Sequence, residues 1–260
     1  QNDHTDNPRL WDRDKGDWTE LGTRYVLGIL DRLTGVRRER FRLGHWVMAE
    51  GAVYADYDAT VHLVDQVPFE IKYYFAGVDW GYVHPGVIEI FAVGSDDQLC
   101  RIHEVYQTGR QIEWWAEKAR TLQERYHCRD WWCDPAEPAY IDRFNAQAGV
   151  RAHKANNNVK AGIDAVRERL SLRQTGKPRM TFLRGALEQR DPTRDAAKKP
   201  CGLIDEIVAY VYPKDSSSRG RRAQDIEEMP VKEDDHAVDA ARYAIASHDG
   251  VKKGVGIIAL

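Results

Sequence analysis

Ile71-Lys72-Tyr73-Tyr74-Phe75-Ala76-Gly77-Val78-Asp79 is aromatic and β-branched along its length and ends on a charge. Such residues suit the pleated, half-buried surface of a sheet, so the run is expected to be a buried strand. Turn signals at His84-Pro85-Gly86 and Gly94-Ser95-Asp96-Asp97 set off two further runs, 86–93 and 99–106. Three strands so closely spaced predict an antiparallel meander.

Downstream the pattern alternates. Residues 111–126 read as a helix, 129–133 as a short strand running into Asp134-Pro135, and 138–148 as a helix. A short strand at 150–153, a helix at 159–172, a strand at 178–183 and a helix at 202–212 follow. The stretch 214–233, with Ser216-Ser217-Ser218-Arg219-Gly220-Arg221-Arg222, reads as a polar, mobile loop, and 234–247 as the last strong helix. A meander followed by alternating helices and strands predicts an α/β domain with a mixed sheet and helices on its faces. Upstream, residues 17–33 carry apolar side chains at roughly helical intervals, and the stretch beyond Gly35 reads as short extended pieces. The expected organisation is a linking segment over 1–70, one α/β domain over 71–250 and a tail over 251–260.

The 260 residues are 42% hydrophobic and 30% charged, the composition of a globular protein with a real core. No apolar run approaches the roughly 18 residues that span a membrane. The first residues lack the basic-then-apolar order of a signal peptide, so the chain is not expected to be secreted; they also lack an initiator Met, as a fragment or processed chain would. Cys100, Cys128, Cys133 and Cys201 form no CxxC pair, which points to buried thiols in a reducing compartment and not to structural zinc. A net charge of −3 excludes a uniformly basic surface, but an enzyme acting on nucleic acid needs only a local basic track.

Three acidic motifs stand out. Asp79 closes the strand Phe75-Ala76-Gly77-Val78, where a charge must avoid a dry core unless something compensates it. Asp134 closes Trp131-Trp132-Cys133 in the same way. An Asp before Trp-Gly also caps turns, and Asp-Pro is an ordinary turn signal. Repetition lifts both, because neighbouring strand ends are where ligands gather in α/β sheets. The third motif is Asp234-Asp235-His236-Ala237-Val238-Asp239-Ala240-Ala241-Arg242-Tyr243-Ala244. On a helix Asp235 and Asp239 share a face, and His236 and Asp239 are also neighbours. Asp234 or Asp235 gains from capping and the dipole, but Asp239 is a turn further in and needs a divalent cation or Arg242 beside it. The alanines make a face that lies close to a sheet. A capped surface helix with a solvated acidic edge is the bland alternative.

Such a set suits phosphodiester hydrolysis. Two divalent ions roughly 4 Å apart, bridged by a shared carboxylate, prepare the water, compensate charge at phosphorus and assist the leaving oxygen. Mg²⁺ and Mn²⁺ prefer oxygen ligands, and three or four carboxylates suffice.

Asp79 in Ala-Gly-Val-Asp-Trp-Gly, Asp134 in Trp-Trp-Cys-Asp-Pro-Ala and the motif Asp-Asp-His-Ala-Val-Asp-Ala-Ala-Arg-Tyr together resemble the C-terminal nuclease domain of the large terminase subunit of tailed phages. Asn7-Pro8, Gly44-His45-Trp46 and Glu50-Gly51-Ala52-Val53-Tyr54 resemble that family's link between ATPase and nuclease domains. The resemblance implies a ribonuclease H-like fold and metal-dependent cutting of concatemeric double-stranded DNA during genome packaging, in the cytoplasm of an infected bacterium. Two Mg²⁺ or Mn²⁺ ions are implied, and, in the full-length protein, an ATPase domain, a portal and a small terminase subunit as partners. Asp79 and Asp134 match the family's first two acidic positions. Asp239 is the expected principal ligand of the last motif, with Asp235 or His236 assisting or positioning water.

No Gly-x4-Gly-Lys-Ser/Thr occurs, so the chain is not expected to hydrolyse ATP. Arg37, Arg38, Arg40 and Arg42, with Lys198, Lys199, Arg219, Arg221 and Arg222, form candidate phosphate contacts, whose binding would weaken steeply with salt. Trp114, Trp115, Trp131 and Trp132 are expected in the core. Rival readings are another ribonuclease H-like enzyme of transposase or resolvase type, and a non-catalytic domain docking on a portal or scaffold.

Overall fold

The computed structural model describes residues 4–27, 51–213 and 229–256. Ahead of the main sheet, Trp11–Asp12 (β1) and Asp17–Trp18 (β2) pair as a small antiparallel ribbon, followed by one turn at Glu20–Gly22 (α1) and a π-helical turn at Thr23–Leu27. The main sheet has seven strands: Leu63–Val64 (β3), Ile71–Asp79 (β4), Gly86–Gly94 (β5), Leu99–Gln107 (β6), Trp131–Cys133 (β7), Ala152–Lys154 (β8) and Met180–Leu183 (β9). Their spatial order is β3-β9-β6-β5-β4-β7-β8. β4, β5 and β6 form the predicted antiparallel meander. β7 and β8 extend it in parallel beyond β4, and β9 and β3 in parallel beyond β6.

β5 lies at the centre and is buried throughout, as its nearly continuous apolar sequence requires. On one face Ile112–Tyr126 (α3) and Pro138–Ala148 (α4) cover Ile88, Ile90 and Trp131 with Trp115, Leu122 and Phe144. On the other, Val159–Leu170 (α5), Leu203–Ile207 (α7) and His236–Gly256 (α8) cover Phe75, Val87, Phe91 and Phe182. Val53, Tyr54 and Tyr57 join this second core, next to the turn Ala59–His62 (α2) that leads into β3. Side chains alternate across a strand. Phe75, Gly77 and Asp79 therefore share the face beneath α8, whereas Ala76 and Val78 point to the other core.

α8 sits unusually close to β4. A Cβ on Gly77 would collide with the carbonyl of Ala240 and stand 2.7 Å from Ala244 Cβ. Gly77→Ala is therefore expected to push the helix off the sheet and lower stability by about 1–3 kcal/mol, read by urea unfolding. An unchanged midpoint would mean that α8 yields freely at this crossing. α8 is tied down further along as well: Asp249 accepts hydrogen bonds from Arg169 Nε at 2.9 Å and from His248 Nδ1 at 2.9 Å.

The sequence reading matches these elements closely from residue 71 to 183. The helix expected over 202–212 is only Leu203–Ile207, because the following backbone pairs with the chain before α2. Val53 N–H donates to Tyr210 O at 3.0 Å and Tyr212 N–H to Gly51 O at 2.8 Å. In the helix expected over 17–33, only the turns up to Leu27 are described. The short elements β1, β2, α2, β3 and Pro192–Ala196 (α6) were not anticipated, and β2 takes the first residues of the helix expected over 17–33. All four cysteines are buried and free, and the four tryptophans expected in the core line the α3/α4 side or pack against a core. No helix among the described residues is long and apolar enough to cross a membrane. Arg37, Arg38, Arg40, Arg42, Arg219, Arg221 and Arg222 lie outside the described residues.

Candidate active site

The parallel register of β4 and β7 sets Val78 beside Cys133, and Asp134 N–H donates to Val78 O at 2.9 Å. Asp79 and Asp134 thus leave the sheet side by side. Trp80 Nε1 donates to the carbonyl of Asp134 at 2.9 Å, and Asp134 Oδ1 accepts the Ala136 N–H at 3.0 Å, which fixes the turn after β7.

The N-terminus of α8 closes over this corner. Orphan N–H groups of a helix's first turn need acceptors. Asp234 and Asp235 were the expected caps, but the acceptor comes from α7. Glu206 Oε2 takes the N–H groups of Ala237 at 2.6 Å and Val238 at 3.1 Å, while its Oε1 accepts from the Tyr106 hydroxyl at 2.7 Å. Asp234 is turned aside in a left-handed conformation, φ 51°, and bonds Arg194 Nη2 at 2.7 Å. Asp235 is thereby freed from capping. It is buried, and its Oδ2 has no hydrogen-bond partner.

His236 brings Nδ1 to 3.3 Å from Asp79 Oδ2, and its ring stacks at 5.7 Å on His84. Asp239, one turn along, has its amide bonded to Asp235 O at 2.8 Å. Its Oδ1 receives Arg242 Nε at 3.1 Å and Nη2 at 3.0 Å, so the cation anticipated beside it is Arg242. Arg242 is 1% exposed and runs beneath α5, where a Cβ on Gly162 would stand 2.7 Å from its Cδ.

The electrostatics follow from this crowding. Burial, then the charges of Asp239, Asp134 and Asp235, push the Asp79 carboxyl well above the usual carboxylate range. Burial also raises Asp239, with Arg242 opposing and Asp235 reinforcing the rise. His236 is held below the usual imidazole range by burial, against the pull of Asp235. Tyr243 is pushed up by burial and then by the charges of Asp239, Asp134 and Asp79. Four carboxylates therefore share one corner with a single buried guanidinium.

This donor set fits a divalent cation. It is made of hard oxygens, the neighbouring acids add to the elevation of Asp79 and Asp239, and one buried carboxylate oxygen of Asp235 lacks a hydrogen-bond partner. As the side chains stand, no three His, Cys, Asp or Glu among the described residues converge closely enough to hold an ion. Asp239 Oδ1 is engaged by Arg242.

Sequence reasoning missed Glu206 and Tyr243. It also missed Glu89, on β5, which is fully buried with both carboxylate oxygens unbonded, near the Arg101–Glu104 pair at 3.0 Å. Glu89 had a signal in sequence: it is the one charge within an otherwise apolar strand. Glu206 had none, since its partners lie about thirty residues or more away along the chain.

A three-stranded antiparallel meander flanked by parallel strands, with helices on both faces and acids at adjacent strand ends, defines a ribonuclease H-like fold. Its structural neighbours include large terminases and their nuclease domains, and a RuvC from T. thermophilus. The large terminase of the thermophilic bacteriophage D6E, solved with ADP, is similar over 92% of this chain and 52% of its own, at 24% identity and a TM-score of 0.57. This chain thus spans about half the length of that protein. The nuclease domain of the P22 large terminase is 16% identical over 78% of this chain and 98% of its own, with a TM-score of 0.48. The nuclease domain of the bacteriophage SPP1 large terminase, solved with bound Mn, is 17% identical over 71% and 94%, at 0.45. No protein-family model and no curated protein matches the chain.

Proposed function

We propose that this chain is the nuclease domain of a phage large terminase, a divalent-metal-dependent endonuclease that cuts concatemeric double-stranded DNA. The observation that carries this reading is geometric. Asp79 and Asp134 leave adjacent strand ends of a ribonuclease H-like sheet, with Asp134 N–H bonded to Val78 O at 2.9 Å, and the first turn of α8 closes over them with His236 Nδ1 3.3 Å from Asp79 Oδ2. Asp79, Asp134 and Asp239 are the principal ligands, with Asp235, whose oxygen is unpartnered, beside them. Two ions, Mg²⁺ or Mn²⁺, would supply charge compensation at the phosphorus and a readily ionised water.

The chain's own groups have separate tasks. His236, largely neutral at physiological pH, stands next to Asp79 and accepts or relays a proton at its ring nitrogen. Arg242 orients the Asp239 carboxylate through two hydrogen bonds to one oxygen and leaves the other free. Trp80 fixes the backbone that carries Asp134. In the full-length protein the partners are an ATPase domain, a portal and a small terminase subunit, and the setting is the cytoplasm of the infected bacterium. The linking segment expected over 1–70 would join the ATPase domain to this nuclease, with its end, from Val53 to Val64, packed into the nuclease core and sheet.

A supercoiled plasmid tests the reading. With Mn²⁺ or Mg²⁺ the protein is expected to nick and then linearise it with little sequence preference. EDTA or Asp134→Ala should reduce cutting to background. Cutting that survives either treatment would remove the carboxylate cluster from the chemistry.

A further inference from the structure

The loop between β4 and β5 follows directly on Asp79 and carries Trp80-Gly81-Tyr82-Val83-His84-Pro85. Val83 is 83% exposed and Tyr82 56%, and these adjacent residues are the two most exposed large hydrophobic side chains among the described residues. Scattered apolar side chains on a surface are ordinary, but two together at the lip of a site need a reason.

The loop is also held firmly. Gly109 N–H donates to Tyr82 O at 2.8 Å, which ties the tip to the chain leaving β6. Trp80 is hydrogen-bonded to Asp134, and His84 stacks on His236. Gly81 is folded so tightly that a Cβ there would collide with the carbonyl of Pro85 and lie 2.5 Å from that of His84. On the Asp134 side, Tyr140, 37% exposed, stands edge-on to Trp80 at 5.6 Å and continues the aromatic rim. A tip pinned at three places has already lost most of its conformational freedom, so a partner meets a preformed apolar edge.

Resting on the nuclease reading above, we infer that Tyr82 and Val83 are a DNA-engaging edge that packs against the sugar and base surface of a duplex groove beside the scissile phosphate. The loop follows directly on Asp79 and is braced against Asp134 and His236, so a duplex whose phosphate lies at the acidic corner meets this edge. Apolar side chains inserted at a groove contribute attraction independently of sequence, as does stacking on an aromatic ring. Both side chains project beyond the core, so replacing them leaves the fold intact.

The experiment compares the wild-type chain with Tyr82→Ala/Val83→Ser and Tyr82→Phe. Binding of a fluorescent duplex is read by anisotropy with Ca²⁺, and Mn²⁺-dependent hydrolysis is read on the duplex and on bis(p-nitrophenyl) phosphate. The double variant is expected to bind duplex about tenfold more weakly or worse. Hydrolysis of the small diester and the melting temperature should stay at wild-type values, and Tyr82→Phe should keep most of the binding. Duplex binding within twofold of wild type in the double variant overturns the inference. Equal loss on the duplex and the small diester also overturns it, because the loop would then be shaping the acidic corner. A wild type that binds duplex but hydrolyses neither substrate sinks the nuclease reading alone, and the anisotropy comparison still decides the edge.

Discussion

Asp79→Asn is expected to abolish Mn²⁺- and Mg²⁺-dependent cutting and, in the same preparation, to raise the melting temperature of the metal-free protein. Burial, followed by Asp239, Asp134 and Asp235, holds the carboxyl of Asp79 well above its unfolded value. A carboxyl raised in this way favours the folded state fully at pH below its unfolded pKa, and that contribution is lost as pH rises through the folded pKa. At neutral pH the group therefore weighs against folding. Each unit of elevation corresponds to about 1.4 kcal/mol, and each kcal/mol to about 2–4 °C in a domain of this size. The neutral amide removes that penalty. Added Mn²⁺ should raise the midpoint of the wild type by mass action and leave Asp79→Asn where it was. A variant that melts below the wild type without metal would refute the like-charge account, and one that still cuts would remove Asp79 from the site.

Arg242→Ala is expected to cost about 3–5 kcal/mol of stability, because it strands the buried Asp239 carboxylate without its cation. Arg242→Lys should recover only part, since an ammonium cannot place two donors on one oxygen as Nε and Nη2 do. Combining Arg242→Ala with Asp239→Asn should restore much of the loss, and urea unfolding of the four proteins isolates the coupling. Strict additivity would show that Arg242 matters for its packing under Gly162 and not for its charge.

How much of this was legible in the sequence depended on the range of the interactions. The meander, and the helices Ile112–Tyr126 and Pro138–Ala148, were readable because local periodicity and turn residues decide them. Asp79 and Asp134 were visible as charges ending apolar strands, and the spacing of Asp235, His236 and Asp239 gave their helical face. What the sequence hid depends on tertiary partners. Residues 208–212 look helical by composition, yet Tyr210 O accepts from Val53 N–H, Tyr212 N–H donates to Gly51 O and Val211 O accepts from Val231 N–H. Asp235 looks like an ordinary cap until Glu206 takes that task. Tyr243 reads as one more apolar helix residue until the fold brings the charges of three carboxylates to bear on it.

Helix ends are where local opening usually begins, and amides there exchange with solvent long before the core unfolds. The first turn of α8 carries the proposed chemistry; Glu206 holds that turn, and Arg169 grips the helix again at Asp249, further along its length. Its leading amides are denied the usual freedom to fray. Reactive groups mounted there keep their alignment through the breathing of the surrounding loops, and are surrendered only when the whole sheet lets go.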